Sequence, residues 1–310
     1  MINQIKLAAK FAHKDKNNIS SNIAVKDGII QCHDHLCGVS INSTIELDFC
    51  CNAQMLSAVL SKCKDGTDLK INKGKLEIKS GRLKSKIDIM PVSEYPFFAV
   101  PEGDIFESEN IIDDLKKLSM FTSPDDVRLF AQGVNISNNS LSATNGHTAI
   151  KKQVSIDIDK NYIVPTKSID KIYAAKTPCN KLLFDDNGAV YFASEALNFF
   201  TKTITSPMPD IDRVLSDTTD QKTKIDDIKE TVLIIRDLCN IDKTVVLGKT
   251  IGTRDGSTKI DGFNIPESAF NADYLASICD VADYIDFSKS PDPCPFEAEN
   301  IQGAIVGIRL

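Results

Sequence analysis

The sequence predicts an α+β protein built from three tandem, similar domains, and three observations lead there. A unit of strand, helix and alternating strands recurs three times, beginning near Ile45, Asp159 and Ser257. Leu56, Ile169 and Leu275 fall at equivalent helix positions, about 113 and 106 residues apart, a period of whole domains and far longer than that of a solenoid. The 310 residues, 42% hydrophobic and 25% charged, match average globular usage, which removes disordered, collagenous and fibrous classes and leaves room for three cores. The domains are placed at 1–100, 101–207 and 208–310, with boundaries where turn residues cluster after Pro96-Phe97-Phe98 and near Pro207-Met208-Pro209.

In the first domain a helix over 3–16 comes first. A strand then leads into a second helix from about Asn52 to Lys64, and alternating strands follow, broken at Asp65-Gly66 and Lys73-Gly74. The second domain repeats the plan with a helix over 107–121, Pro165 at the start of its second helix and Asn187-Gly188 as a hairpin turn. The third is less regular, with a helix near 222–239 and a second one around Leu275. Each domain therefore carries two helices and several antiparallel strands.

Forty-three acidic against 36 basic residues exclude a uniformly cationic surface but not a local basic stripe. No apolar run is long enough to span a bilayer, and the N-terminus lacks the uninterrupted apolar core of a signal peptide, so a cytoplasmic protein without membrane contact is expected. Nine cysteines, an odd number and scattered, point to reduced thiols that pack as small hydrophobes.

Lys6, Lys10 and Lys14 recur every four residues, which stacks three ammonium groups on one face of the first helix. Lys167 and Lys171 repeat the spacing in the second domain, and Lys62 and Lys64 close the corresponding helix of the first. A solvated face explains such a stripe, and so does a polyanion; repetition at equivalent places favours the polyanion. No zinc-finger spacing, basic zipper or arginine-rich recognition helix appears, so contact would be with the phosphate backbone and blind to sequence. Asp273, Asp280 and Asp283 on the second helix of the third domain make any positive lining uneven.

Cys32, His33, Asp34, His35 and Cys37, with Cys50 and Cys51 downstream, supply enough donors for zinc. Along a strand these side chains alternate between faces, so they diverge, and ordinary thiols on a strand and turn are expected in place of a metal site. A zinc-dependent hydrolase is the enzymatic reading of that cluster. No nucleophile elbow accompanies the four histidines, His13, His33, His35 and His147, and Gly248-Lys249-Thr250 lacks the first glycine of a phosphate loop. His147 stands beside the Asn145-Gly146 turn, as a turn histidine or a functional one.

Six motifs in order, over about 230 residues, resemble the bacterial DNA polymerase III beta subunit, the sliding clamp, in a divergent, phage-type form. They are Ile78 to Arg82 with Met90-Pro91 and Tyr95-Pro96; ATNGHTAI, which ends at Ile150; VPTKSIDKI from Val164 to Ile172; Pro209 to Leu215; Phe270 to Leu275; and the terminal Val306 to Leu310. The resemblance implies a clamp fold of three domains and a head-to-tail homodimer whose six domains ring duplex DNA, with helices lining the hole. It implies no catalytic residue, no cofactor and no metal. Its partners would be double-stranded DNA, a DNA polymerase, other proteins bearing a clamp-binding motif, and an ATP-driven loader. Lys6, Lys10, Lys14, Lys62, Lys64, Arg128, Lys167 and Lys171 would then touch DNA.

Carried over by position, the partner-peptide groove between the second and third domains would be walled by Ala131, Thr144, Gly146, His147, Pro209, Arg213, Val214, Val306, Ile308, Arg309 and Leu310. Ala131, Thr148 and Gly307 stand where relatives carry a larger apolar residue, an arginine and a proline. Ser85 takes the place of an aromatic on the strand that meets the next subunit, with Ile87 beyond it. Relatives also have a strand before the first helix that this chain lacks. The alternative is an adaptor of the same fold that stays monomeric or open and binds replication proteins without encircling DNA.

Overall fold

The structure, a computed structural model, describes all residues except Lys16, Asp65, Gly103, 240–242 and Leu310. The first repeat runs α1 (Ile2–Ala9), β1 (Asn22–Lys26), β2 (Ile29–His33), β3 (Cys37–Asn42), β4 (Phe49–Asn52), α2 (Ala53–Leu60), β5 (Asp68–Asn72), β6 (Lys75–Ser80) and β7 (Leu83–Met90). The second runs β8 (Phe106–Glu107), α3 (Ile111–Leu118), β9 (Gly133–Ser137), β10 (Ser140–Thr144), β11 (Thr148–Gln153), β12 (Tyr162–Pro165), α4 (Thr166–Tyr173), β13 (Lys181–Phe184), β14 (Ala189–Ala193) and β15 (Leu197–Lys202). The third runs β16 (Thr223–Lys224), α5 (Lys229–Leu238), β17 (Thr244–Leu247), β18 (Thr250–Thr253), β19 (Lys259–Asp261), β20 (Ser268–Asn271), α6 (Ala272–Cys279), β21 (Tyr284–Ile285), β22 (Cys294–Ala298) and β23 (Ile301–Ile305).

The threefold plan holds element by element. Helices α2, α4 and α6 are each eight residues long and begin at residues 53, 166 and 272, which reproduces the spacing read from Leu56, Ile169 and Leu275. Those three residues are buried, because the fourth position of each helix faces its sheet. Asn52 and Asn271 start α2 and α6 by accepting backbone N–H groups on their side chains, the ordinary reason for an asparagine at that place. In every repeat the strand that enters the second helix pairs antiparallel with the strand three before it: β4 with β1, β12 with β9, β20 with β17.

Residues 1–113 and 167–203 form one compact unit, and 114–166 with 204–310 a second. The first unit holds an eleven-stranded sheet in which β3 joins β15, Leu197 opposite Ile41 through Thr201 opposite Cys37. Its core includes Phe11 stacked on Phe199 at 5.3 Å. At the join Gly38 faces Phe200, and a Cβ on Gly38 would lie 2.4 Å from that ring. The second unit holds an eight-stranded sheet joined where β11 meets β23, Thr148 opposite Ile305 through Lys152 opposite Ile301, and a four-stranded sheet ordered β19-β18-β17-β20. Its core includes Phe121 against Phe296 and Phe270 against Phe287.

Helix ends depart from expectation. The first helix stops at Ala9, not residue 16: the N–H groups of Lys10, Phe11 and Ala12 bond only three residues back, and His13 N–H turns to the Ser20 carbonyl. Phe11, just past the helix, is fully buried and stacks on Phe199. The helices expected over 52–64, 107–121 and 222–239 likewise shorten to the eight or ten residues of α2, α3 and α5. Among the described residues no helix is long and apolar enough to cross a membrane. Cys32, Cys37, Cys50 and Cys51 are buried free thiols, and burial pushes Cys37, Cys50 and Cys51 up to about 12.

Candidate functional site

An apolar cleft of about 250 Å³ opens within the second unit. Its floor is a hairpin turn between β10 and β11. Asn145 builds that turn: its side-chain oxygen accepts from His147 N–H (2.9 Å), Thr148 N–H (2.8 Å) and the Thr148 hydroxyl (3.1 Å). Gly146 takes φ +86, a left-handed conformation suited to glycine, and a Cβ there would lie 2.3 Å from the Arg128 guanidinium. The Val306 N–H donates to the His147 carbonyl (2.9 Å), which carries the end of β23 onto the turn, and the His147 ring stacks on Tyr274 of α6 at 5.8 Å. A short helical turn, Ile211–Arg213, capped by the Asp210 carboxylate, forms the opposite wall with Pro209 and Val214. Such a concave, mostly apolar surface with a few fixed polar groups accepts apolar side chains of an extended peptide.

Thr144, Gly146, His147, Pro209, Val214 and Val306 line the cleft as the sequence predicts. Five predicted positions need correction or fall outside. Ala131 is fully buried and lines nothing; Phe130, one residue earlier, faces the cleft. Arg213 stands largely in solvent and pairs with Asp210 at 3.1 Å. Ile308 bonds through its N–H to the Ala269 carbonyl (2.7 Å), so the C-terminal segment runs along β20, and neither it nor Arg309 borders the cleft. Leu310 lies outside the described residues. Sequence reading also missed Ala149, Ile211, Pro293 and Ala304 as cleft residues. Phe130 had a signal, an aromatic residue beside the chosen alanine; the others look like ordinary core.

The expected DNA-contacting cations divide into two groups. Lys6 is half-buried on α1 and Lys10 exposed at its end, but Lys14 sits in the loop beyond, so no three-turn stripe exists. Lys62 and Lys64 are exposed just after α2 instead of on it, and Lys167 is exposed on α4. Lys171 is committed elsewhere: its ammonium pairs with Asp34 at 2.6 Å and lies over the Phe11 ring. Burial alone would push the Asp34 carboxyl up; the Lys171 ammonium and the N–H groups of Cys37 and Leu36 outweigh it and hold Asp34 below the usual carboxylate range. Arg128 is also engaged, with Asp126 at 2.7 and 2.9 Å and the Asn145 carbonyl at 2.8 Å. That guanidinium holds the Asp126 carboxyl at about 2, so the pair stays charged and Arg128 caps the cleft turn in place of a free cation. In the third repeat only Asp273 lies on α6. It pairs with Lys243 at 2.6 Å, Asp280 ends the helix and pairs with Lys229 at 3.1 Å, and Asp283 lies beyond, so the acidic lining is partly neutralised.

Ser85 and Ile87 lie on β7. Ile87 is buried and Ser85 half-buried, so their side chains face the core of their own unit. Among the described residues the β7 backbone over 83–88 pairs only with β6. Among the described residues no three His, Cys, Asp or Glu side chains are placed to hold a metal ion.

No protein-family model matches the chain. No curated protein sequence matches it. Solved structures do. The Helicobacter pylori beta clamp bound to a DNA ligase peptide superposes with a TM-score of 0.84 at 18% identity, covering 99% of this chain and 97% of that one. The DNA polymerase III subunit beta of Pseudomonas aeruginosa gives 0.81 at 17% identity, and that of Thermotoga maritima 0.77 at 18%; each alignment covers 100% of this chain and 97% of the other. The chain thus has the three-repeat fold of those beta subunits.

Proposed function

We propose that the protein is a sliding clamp: a head-to-tail dimer that closes around duplex DNA and tethers a polymerase and other replication proteins through the cleft of its second unit. One observation carries the reading. The strand just before the one that enters a repeat's second helix pairs with the last strand of the next repeat twice within the chain, β3 with β15 and β11 with β23. The third such pair would be β19 with β7. Among the described residues β19 ends its sheet and β7 has one open side over 83–88, so neither half of the missing join has a partner strand there. A second copy supplies each half to the other, and two joins of this kind close a ring. Sheet edges left unpaired otherwise invite aggregation. Ser85 and Ile87 serve this join through their backbone.

A ring holds DNA by topology, so it needs only weak, sequence-blind phosphate contacts, in keeping with a net acidic chain that keeps exposed lysines at Lys10, Lys62, Lys64 and Lys167 and a half-buried one at Lys6. The protein would do no chemistry of its own, and a loader would open it. The domain limits 1–100, 101–207 and 208–310 belong to the same reading. The Helicobacter pylori relative holds a DNA ligase peptide, and we assign the same kind of ligand, a short apolar segment of a replication or repair protein, to the cleft lined by Phe130, His147, Val214 and Val306.

Retention on circular DNA tests the reading. Loaded by its clamp loader, the dimer is expected to stay on a covalently closed circle through a salt wash and to leave once the circle is cut. Equal loss from circle and linear fragment, or a monomer at micromolar concentration, would contradict the ring and leave the open adaptor.

A further inference from the structure

The turn at the cleft floor has a counterpart in the first unit. There the Asp34 carboxylate accepts from the Leu36 N–H (3.1 Å) and the Cys37 N–H (2.8 Å), as Asn145 does from His147 and Thr148. The Lys202 N–H donates to the Leu36 carbonyl (2.8 Å), as the Val306 N–H does to the His147 carbonyl. The ladders beside the two turns match residue by residue. Gly38 faces Phe200 where Ala149 faces Ala304, and one step back Cys37 faces Thr201 where Thr148 faces Ile305. The backbone frame of the cleft therefore occurs twice in the chain.

What stands on the two floors differs. Two alanines leave the second-unit cleft open at about 250 Å³. In the first unit the Phe200 ring lies over Gly38, and the stretch 96–100 packs onto that ring. This stretch is held as a bound peptide would be. The Gln31 side-chain amide donates to the Phe98 carbonyl (2.8 Å) and accepts from the Phe98 N–H (3.1 Å), and the His33 ring N–H donates to the Pro96 carbonyl (2.9 Å). Phe98 packs against Phe200 at 4.3 Å, and Phe98 and Val100 both rest on the cluster of Leu183, Tyr191 and Phe200. No strand includes residues 96–100, so these side-chain contacts seat them. Capture of main-chain groups together with a few apolar anchors is how extended segments are recognised.

On the reading that the second-unit cleft takes short apolar segments, we propose that the first unit contains a second site of that kind, and that residues 96–100 of the chain itself are its resident ligand. Of the two sites only one is then open to partners, so a dimer offers two and not four. The occupied site selects an aromatic side chain, because Phe200 supplies a ring to pack on where Ala304 supplies none.

Supplying the segment as a free peptide tests this. The probe is a fluorescently labelled peptide with the sequence of residues 96–102, read by anisotropy against full-length chains that all carry Val306→Asp to disable the open cleft. Phe98→Ala with Val100→Ala removes the resident anchors and should raise affinity for the probe by at least about tenfold, because the seat is no longer taken. Adding Gln31→Ala to that chain should remove about tenfold again, the scale of two lost hydrogen bonds. Excess probe should also raise the Tm of the anchorless chain and leave that of the Val306→Asp chain unchanged. No gain in a cooperatively melting anchorless chain would overturn the proposal. A gain that survives Gln31→Ala would place the probe elsewhere and overturn it too. Should the anchorless chain fail to fold, Phe98→Leu takes its place with a smaller gain expected, and no gain there counts equally against the site. A chain with Val306 and both anchors intact reports the open cleft alone, so failure of that cleft and failure of this seat appear in different variants.

Discussion

Replacing Gly38 by alanine should destabilise the first compact unit by about 3 kcal/mol, the upper part of the range for overpacking a filled core. The added Cβ would lie 2.4 Å from the Phe200 ring, 2.5 Å from the His33 Cβ and 2.9 Å from the Cys32 carbonyl oxygen, so it meets fixed atoms on every side. Phe200 has no easy retreat. It is buried, packs tilted against the Phe98 ring at 4.3 Å and sits across the β3–β15 ladder from Gly38. The variant therefore strains the join between the first and second repeats, and urea unfolding should show the loss directly. Pairing Gly38→Ala with Phe200→Leu should recover part of it, because the smaller side chain vacates some of the space the methyl needs. A single variant as stable as the parent would mean that the ring can move aside and that the join is looser than its geometry implies.

Replacing Val306 by aspartate should cut affinity for a clamp-binding peptide by at least about thirtyfold, the scale of losing one interface hot spot of about 2 kcal/mol. Val306 is exposed at the end of β23 and lines the cleft with Val214, Pro209 and His147. A carboxylate there would be desolvated by any apolar side chain that enters and has no cation in the cleft lining to receive it. Arg213→Ala serves as the control: its side chain stands in solvent beside Asp210, so binding should be preserved. Fluorescence anisotropy with a labelled peptide reads both. Equal loss in the two variants would move the peptide off the cleft floor and onto the outer face of the Ile211–Arg213 turn.

Which residues line the cleft was legible only in part. Thr144, Gly146 and His147 could be placed because a hairpin turn constrains its own few residues: Asn145 and Gly146 suffice to specify it, and His147 must follow. Phe130 and Ala131 could not be told apart, since the helical turn that holds them, Leu129–Gln132, is too short for periodicity to show which side chain points where. The same limit hid Ile211 and Pro293, which meet the turn only after the chain has folded back upon it.

The charges tell the same story from the other side. Lysine spacing placed Lys6 and Lys10 one turn apart, but it could not show that the helix ends at Ala9 and that the His13 N–H turns to Ser20, and so it overextended the stripe to Lys14. Nor could it show that Lys171 meets Asp34, 137 residues away along the chain, or that Arg128 folds back onto Asp126 and the cleft turn. Whether a cation is free or paired depends on which carboxylate lies within a few ångströms, and that distance is a property of the folded chain alone.

By itself the amino-acid order determined the number of repeats, the place of each second helix and the turn at the cleft floor, because these follow from local periodicity and from residues that bond to their own neighbours. Tertiary structure decided where helices stop, which cations meet a carboxylate and which strand edges stay unpaired among the described residues, because each depends on contacts between residues far apart in the chain.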